Sequence, residues 1–550
     1  MRFASTLALL LLAAPAFGQL TTRASVDTAG GDSNHNSHHP SLSADGSLVA
    51  FYSFASDLVA SDKNGAYDVF VRDLASGVTE RVSVDSAGGE ANSSSWYPAI
   101  SADGSCVAFE SDAKNLVAGD TNGSRDVFVH DRTTGVTERV SVDSAGAEGN
   151  GSSSWASISA DGRYVAFESL ATNLVAGDTN GWPDVFVHDR VTGITERVSV
   201  DSTGAEGNGD SHRPELSGDG SIVAFASYAT NLVAGDTNFR TDIFVHDRAS
   251  GVTERVSVDS SGLEADRDSS DASISADGRI VAFASAATNL DPAGKNGYGD
   301  VFVHDRSSGS TALITKSPAG VEGDKSSVWP HVSEDGRSVA FYSYASNLVA
   351  GDGNGGADAF VRDLATGFTD RMSVDTAGGD SNGDTLNVSI SGDGRVVAFA
   401  SRASDLVGSD GNGAWDVFAR DRCVVHASWT NYGAGFPGTQ GVPSFTAQSN
   451  PVLGTTLSCD LANSSGVPTP AALFVGFQRT QIAWRGGDLL VLPTLVVPFV
   501  LPAAGTSFVA GLPTDFRLGG LILDLQAAEL DSGAAKGISS TPGLELVLGI

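Results

Sequence analysis

Short runs of alternating apolar and polar positions fill most of this chain, and none of them keeps a helical period. SWASIS (154–159), YVAFES (164–169), DVFVHD (184–189) and ITERVSV (194–200) are typical. The turn ADGR, the polar stretch ATNLVAGDTNGWP and the turn RVTG separate them. Alternation of Val, Ile and Phe, broken by Asp-Gly and Asn-Gly, is the signature of strands and hairpins. The segment therefore predicts four short strands.

The segment recurs with a fixed period. In the turn Ser-x-Asp-Gly the acid stands at Asp45, Asp103, Asp161, Asp219, Asp277, Asp335 and Asp393, each 58 residues after the last. Two phenylalanine columns, Phe51 to Phe399 and Phe70 to Phe418, keep the same period without insertions. Seven units of four strands predict a β-propeller. The seventh unit stops at DVFARDR (416–422) without its fourth strand, while TTRASVD (21–27) is in 58-residue register with TERVSVD (79–85). The N-terminal strand is expected to complete the last blade and so remove an open sheet edge.

PSLSADGSLVAF (40–51), NLVAGDTNG (115–123) and DVFVHDR (126–132), recurring in that order, resemble the WD40-like, TolB-like (PD40-type) propeller repeats of bacterial secreted and periplasmic proteins. The resemblance covers the repeat region and implies a fold and a binding habit, not a reaction. The Trp-Asp dipeptide of true WD40 blades is absent, as is TolB's helical N-terminal domain, so TolB's own envelope role is not carried over.

The expected layout is a signal peptide over 1–18, a seven-bladed propeller over 19–422 and a β-sandwich-like domain over 423–550. MRFASTLALLLLAAPAFGQ has an early Arg, a short apolar run and small residues near Gly18, the pattern of a cleaved secretory signal. The run is too short for a membrane helix, and no Cys follows it to take a lipid anchor. The expected location is therefore secreted, extracellular or periplasmic.

From Cys423 onward the chain turns rich in Pro, Gly, Leu and Val, and resembles a C-terminal module of secreted planctomycete-type proteins. Pro493 and Pro498 argue against a spanning helix over Leu489–Leu501 and for buried or edge strands. Cys106 fills a strand position held elsewhere by Leu48, Tyr164, Ile222, Ile280, Ser338 and Val396, so it reads as core. Cys423 and Cys459 could pair or stay free.

The net charge of −33 comes with only 18% charged residues, so the acids lack partners rather than crowd the sequence. Such a surface repels nucleic acid and anionic lipid, and suits cations or polar, uncharged partners. No nucleic acid and no membrane span are expected, and the chain reads as a monomer.

Four patterns could carry chemistry. Gly379–Gly383 reads GDSNG, the acyl-transfer pattern, but Ser381 lies in a loop between blades with no helix after it, which excludes the nucleophile elbow. His130, His188, His246 and His304 exchange with Arg72, Arg362 and Arg420, which no metal ligand does. Pairing with the neighbouring Asp, or capping a strand end, suits that position better. The loop Asp-x-Asn-Gly-x-x-Asp, as in Asp120, Asn122 and Asp126, offers three hard oxygens and admits two readings. It could hold Ca²⁺, or it could be an Asx turn leading into a strand. The last acid persists in Asp300, where the first is lost, which favours the turn. There is no P-loop and no zinc spacing.

These patterns name no catalytic, cofactor-binding or metal residue, and no cofactor is expected beyond a possible Ca²⁺. The expected function is a non-catalytic binding or scaffolding propeller for a protein or carbohydrate ligand. The alternative is a calcium-dependent hydrolase or lyase acting on sugars or lactones. An enzyme would need odd residues breaking the repeat around the central channel, and seven near-identical blades promise few. Strand alternation puts the long connections on one face, expected to work near Asp62, Asp120, Asp178 and Asp352, with the blade of Gly294 and Lys295 weakest.

Overall fold

The computed structural model describes residues 20–422 and, beyond them, 428–432, 434–437, 439–448, 456–476, 479–484, 487–491, 493, 495–511, 522–535 and 538–547. The signal-peptide expectation (1–18) and Cys423 lie outside the described residues. Two compact units emerge, Leu20–Asp421 and a second from Arg422 onward.

The first unit is seven four-stranded antiparallel sheets. Blade one runs Ser37–Leu42, Leu48–Ser53, Asp68–Asp73 and Thr79–Arg81, and the next five repeat it in order. Blade seven takes Thr385–Ile390, Val396–Ser401 and Asp416–Asp421 from the end of the repeat region and its fourth strand, Leu20–Arg23, from the start. Leu20 lies opposite Asp421 and Arg23 opposite Phe418. The ring is closed by the strand that the register had set aside for it.

The period-two pattern explains the packing. Each blade buries one phenylalanine from its second strand against one from its third, as in Phe109 and Phe128, with ring centroids 6.0 Å apart. Burying a Phe contributes roughly 1.5–3 kcal/mol. The clusters around these pairs draw on two blades each, as where Val69 and Val82 of blade one pack with Phe109 and Leu116 of blade two. No blade completes its core alone.

On the short-turn face the blades are tied by backbone. Ala44 N–H donates to Ala102 O, Ala102 to Ala160, Ala160 to Gly218, Gly218 to Ala276 and Ala276 to Glu334. Asp335 N–H continues to Gly392 O, and Gly392 N–H returns to Ala44 O. This closed circuit explains the small residues. A Cβ on Gly218 would meet that of Ala276 at 2.9 Å.

The second unit is also all β among its described residues. A six-stranded sheet and the three-stranded sheet Phe445–Ala447, Thr456–Leu461 and Thr506–Gly511 share one core, in which Phe445, Cys459 and Leu461 meet Leu473, Leu523 and Leu546. That is a sandwich. Leu495–Leu501, which carries Pro498, is an edge strand, as its prolines require. Cys106 and Cys459 are buried free thiols. No helix among the described residues is long and apolar enough to cross a membrane.

Candidate functional site

The first strand of each blade lines a central cavity of about 250 Å³, to which all seven blades contribute. In blade one its pairing with the second strand slips between His38 and Ser41, and the other blades slip at the matching place. At that bulge His39, Tyr97, Trp155, Arg213, Asp271, Trp329 and Asn387 take left-handed φ angles of 47–54°. Bulky residues rarely adopt this backbone, and each instance costs of order 1–2 kcal/mol. Seven repetitions at one register mark a built feature, since bulges re-aim side chains beside functional sites.

Six residue types fill the seven positions, so the expectation of a near-uniform channel is overturned. The repeat keeps its core and turns but varies where the bulge points inward. A comparison of the copies column by column carries that signal, because the first-strand columns around the bulge vary while the phenylalanine and Ser-x-Asp-Gly columns do not. The odd residues also touch one another. Tyr97 and Trp155 lie 4.4 Å apart, His39 and Trp329 5.1 Å, and Trp155 and Trp329 5.8 Å. The Arg213 guanidinium lies 4.5 Å from the Trp155 ring and 5.0 Å from that of Trp329, and pairs with Asp271. Blades one to six thus close a lid over the lumen.

The strand runs from the long inter-blade connection to the short turn, which places this lid toward the long-loop face. Carboxylates hold it there. Glu110 accepts the Trp155 N–H and Glu168 the Arg213 N–H, both at 3.0 Å. Burial, then the neighbouring imidazoles of His38 and His331 and the Arg213 guanidinium, pushes His39 down to about 3, so it is neutral. Two residues on, facing the lumen, stand Ser41, Ala99, Ser157, Glu215, Ser273, His331 and Ser389. Four of these serines accept a backbone N–H from a neighbouring blade, as Ser157 does from Leu216 at 3.1 Å. Glu215 accepts the Ser157 hydroxyl at 3.0 Å, and burial raises its carboxyl to about 7. Burial lowers His331 to about 4.

Away from the channel, carboxylate oxygens of Asp120, Asp126 and Glu148 lie within 4.8 Å of one another, as do those of Asp178, Asp184 and Glu206 and of Asp236, Asp242 and Glu264. Such a trio could hold a cation, and each has one from its own chain. Arg139 Nη1 lies 2.8 Å from Glu148, 3.4 Å from Asp126 and 3.8 Å from Asp120. Arg197, Arg255, Arg371, Arg81 and, in blade seven, Arg23 repeat the arrangement. The Asn122 oxygen accepts Ser124 N–H, and its amide donates to Asp126 and to Gly149 O, so the loop is an Asx turn, while Asp120 Oδ1 is buried with the Arg139 guanidinium 3.8 Å away and no hydrogen bond of its own.

The acids expected to bind ligand are therefore sequestered. Side chains of Asp62, Asp120, Asp178 and Asp352 are only 3–4% exposed. Burial and then a neighbouring carboxylate push Asp62 and Asp352 up to about 6.

The histidines also have a partner other than the one expected. Nδ1 of His130, His188, His246 and His304 lies 2.8–2.9 Å from a Thr hydroxyl on the fourth strand, and Arg72, Arg362 and Arg420 donate to the equivalent Thr. Any side chain that donates across to the Thr serves, which explains the exchange. Ser381 is buried and bonds Gly383 O and Asp358.

No family model and no curated protein matches the sequence. Among solved structures, a TolB-like protein of Agrobacterium tumefaciens aligns over 51% of this chain and 80% of its own, with 17% identity and a TM-score of 0.33. The WD40 repeats of RRP9 align over 74% of this chain and 99% of their own, with 11% identity and a TM-score of 0.37. By its seven four-stranded sheets and its closing strand, this chain is a seven-bladed β-propeller followed by a β domain.

Proposed function

We propose that the protein is a secreted, non-catalytic binding or scaffolding propeller that takes a protein or carbohydrate ligand on its long-loop face, above the channel lid. One observation carries this reading: six residue types converge where the bulges point inward, in a fold whose core and turn columns are nearly uniform. A rigid ring presenting unlike side chains at one mouth is suited to recognition. The test is orientation. A single biotin is placed at Leu170→Cys on the long-loop end or at Val191→Cys in a short turn, both in a Cys423→Ser background, and each immobilised form meets glycan and protein arrays. Binding retained through Val191 and lost through Leu170 supports the reading; binding retained through Leu170 alone sinks it.

The enzyme alternative rests on Glu215, whose carboxyl titrates near neutrality as a general acid or base requires. It lies beneath the stack of Arg213 on Trp155 and Trp329, so a substrate entering from the long-loop face must first displace Arg213. Glu215→Gln would abolish any hydrolysis of a sugar or lactone and leave binding intact.

A further inference from the structure

Five aromatic rings continue outward from the lid across blades seven, one and two. Trp415 lies 5.7 Å from His38, His38 5.8 Å from Tyr52, Tyr52 5.5 Å from Tyr67, and Tyr67 6.4 Å from Trp96. All five are half-buried. The track is particular to this sector. At the column of Trp96 the other blades carry Ser154, His212, Ser270, Val328 and Leu386, and at the column of Tyr67 they carry Arg125, Pro183, Thr241, Gly299 and Ala357, with a second aromatic only in Trp415.

Both ends of the track are capped alike. The Arg125 guanidinium lies 4.4 Å from the Trp96 ring centroid, and it is bound to Glu110 at 2.7 Å and Asp112 at 3.0 Å. Arg402 lies 6.0 Å from the Trp415 ring and 2.7 Å from Asp384. Each cation already has its carboxylate, and burial keeps His38 below its ordinary value and so neutral at pH 7. The track thus combines π faces with hydrogen-bonding groups among which one guanidinium meets two carboxylates at the Trp96 end and one at the Trp415 end, leaving no unpaired cation. An anionic ligand finds no free counter-charge there.

Resting on the binding reading above, we propose that this track binds an uncharged, extended oligosaccharide, with sugar rings packed on single aromatic rings that tilt by 41–84° from one to the next and hydroxyls bonded to the Arg–carboxylate pairs at its ends. The ring-to-ring step is comparable with the length of one pyranose in a linear glycan. The apolar C–H face of a sugar suits an aromatic ring, and its hydroxyls suit guanidinium and carboxylate together. A cationic peptide would have to compete with Arg125 and Arg402 for the same rings.

The test uses the full chain titrated calorimetrically with cellohexaose, mannohexaose, xylohexaose and chitohexaose, and with hexagalacturonate as the anionic control. At least one neutral hexamer binds, its trimer binds more weakly, and Trp96→Ala or Tyr67→Ala weakens it about tenfold or more. Trp96→Phe, which keeps a ring, restores most of the affinity, and Val191→Ser changes nothing. The proposal is overturned if no neutral hexamer binds, if hexagalacturonate binds better than all of them, or if binding survives both alanine variants in folded protein. A peptide captured on the long-loop face with no glycan bound would defeat this proposal and leave the binding reading standing. A glycan bound but indifferent to Trp96 and Tyr67, in protein tethered by its long-loop face, would defeat both.

Discussion

In blade five Leu313 stands where every other blade places an arginine, and Gly294, its counterpart in the loop, stands where every other blade places an aspartate. The cation and one anion are missing together. Leu313 is fully buried in an apolar cluster with Phe302 and Leu290, and Asp300 and Glu322 are left without a guanidinium between them. Burial and the adjoining Glu322 hold the Asp300 carboxyl well above its usual range. Coupled loss identifies arginine as the partner for which the acidic loops are built, since loss of a metal site would not remove a cationic side chain as well.

Stability should follow that pairing. Arg139→Met strands Asp120, Asp126 and Glu148, and should cost about 3–5 kcal/mol, the typical penalty for breaking a buried pair. Changing Arg139→Leu together with Asp120→Gly, the combination found in blade five, should cost less than the two single changes added. Denaturant melts of the four proteins give the coupling energy, and strict additivity would refute the pairing.

Blade five should also make the protein sensitive to alkali. Asp300 keeps its proton in the folded state at a pH where the unfolded chain has lost it. Its contribution is present at low pH and disappears as pH rises through the folded value. Glu215, at about 7, acts in the same direction. Histidines held neutral by burial, such as His130, oppose this only below their ordinary value of 6.5. Unfolding free energy should therefore fall by about 1–2 kcal/mol between pH 6.5 and 8.5. Gly294→Asp with Leu313→Arg should flatten the profile. A wild type whose stability is constant over that range would contradict the assignment.

Calcium should have little effect. A ligand that binds only the folded state at a hundred times its Kd adds about 2.7 kcal/mol. With Arg139 and its counterparts set among the three carboxylates, millimolar Ca²⁺ should leave the melting temperature of the purified propeller unchanged, and a rise of several degrees would show the guanidinium to be displaceable.

Removing residues before Asp32 should open the ring. The truncation deletes Ala24 and Val26 from the core and takes Arg23 away from Asp410 and Asp416. The expected loss is about 3–5 kcal/mol, with association through the bared edge of Asp416–Asp421. Calorimetry and light scattering check it, and a monomer with an unchanged melting temperature would disprove closure by this strand.

The period of 58 residues made the blades, their strands and the closing strand legible in advance, because each depends on alternation and turn chemistry within one copy. The site was legible only in part. Asp120 looked like an exposed ligand, since no single copy reveals that Arg139 reaches back thirteen positions or more to Asp126 and Asp120 and forward nine to Glu148. The channel lid was harder still. Trp155 and Trp329 belong to blades three and six, and they meet only because the ring closes. Their mark in the sequence is that the first-strand columns around them do not repeat as the core and turn columns do.

The hydrogen-bond circuit through Ala44, Ala102 and their counterparts has seven members and no terminus. Genes built from near-identical segments readily gain or lose a whole segment by misaligned recombination, and an open stack tolerates this because each unit touches only its neighbours. A hoop does not. One copy more or fewer would change the angle at which every pair of blades meets, break the circuit, and carry Leu20–Arg23 away from Asp416–Asp421. The units look interchangeable, but their copy number is fixed by geometry, and each can drift in side chains along its first strand and loops but not in its core.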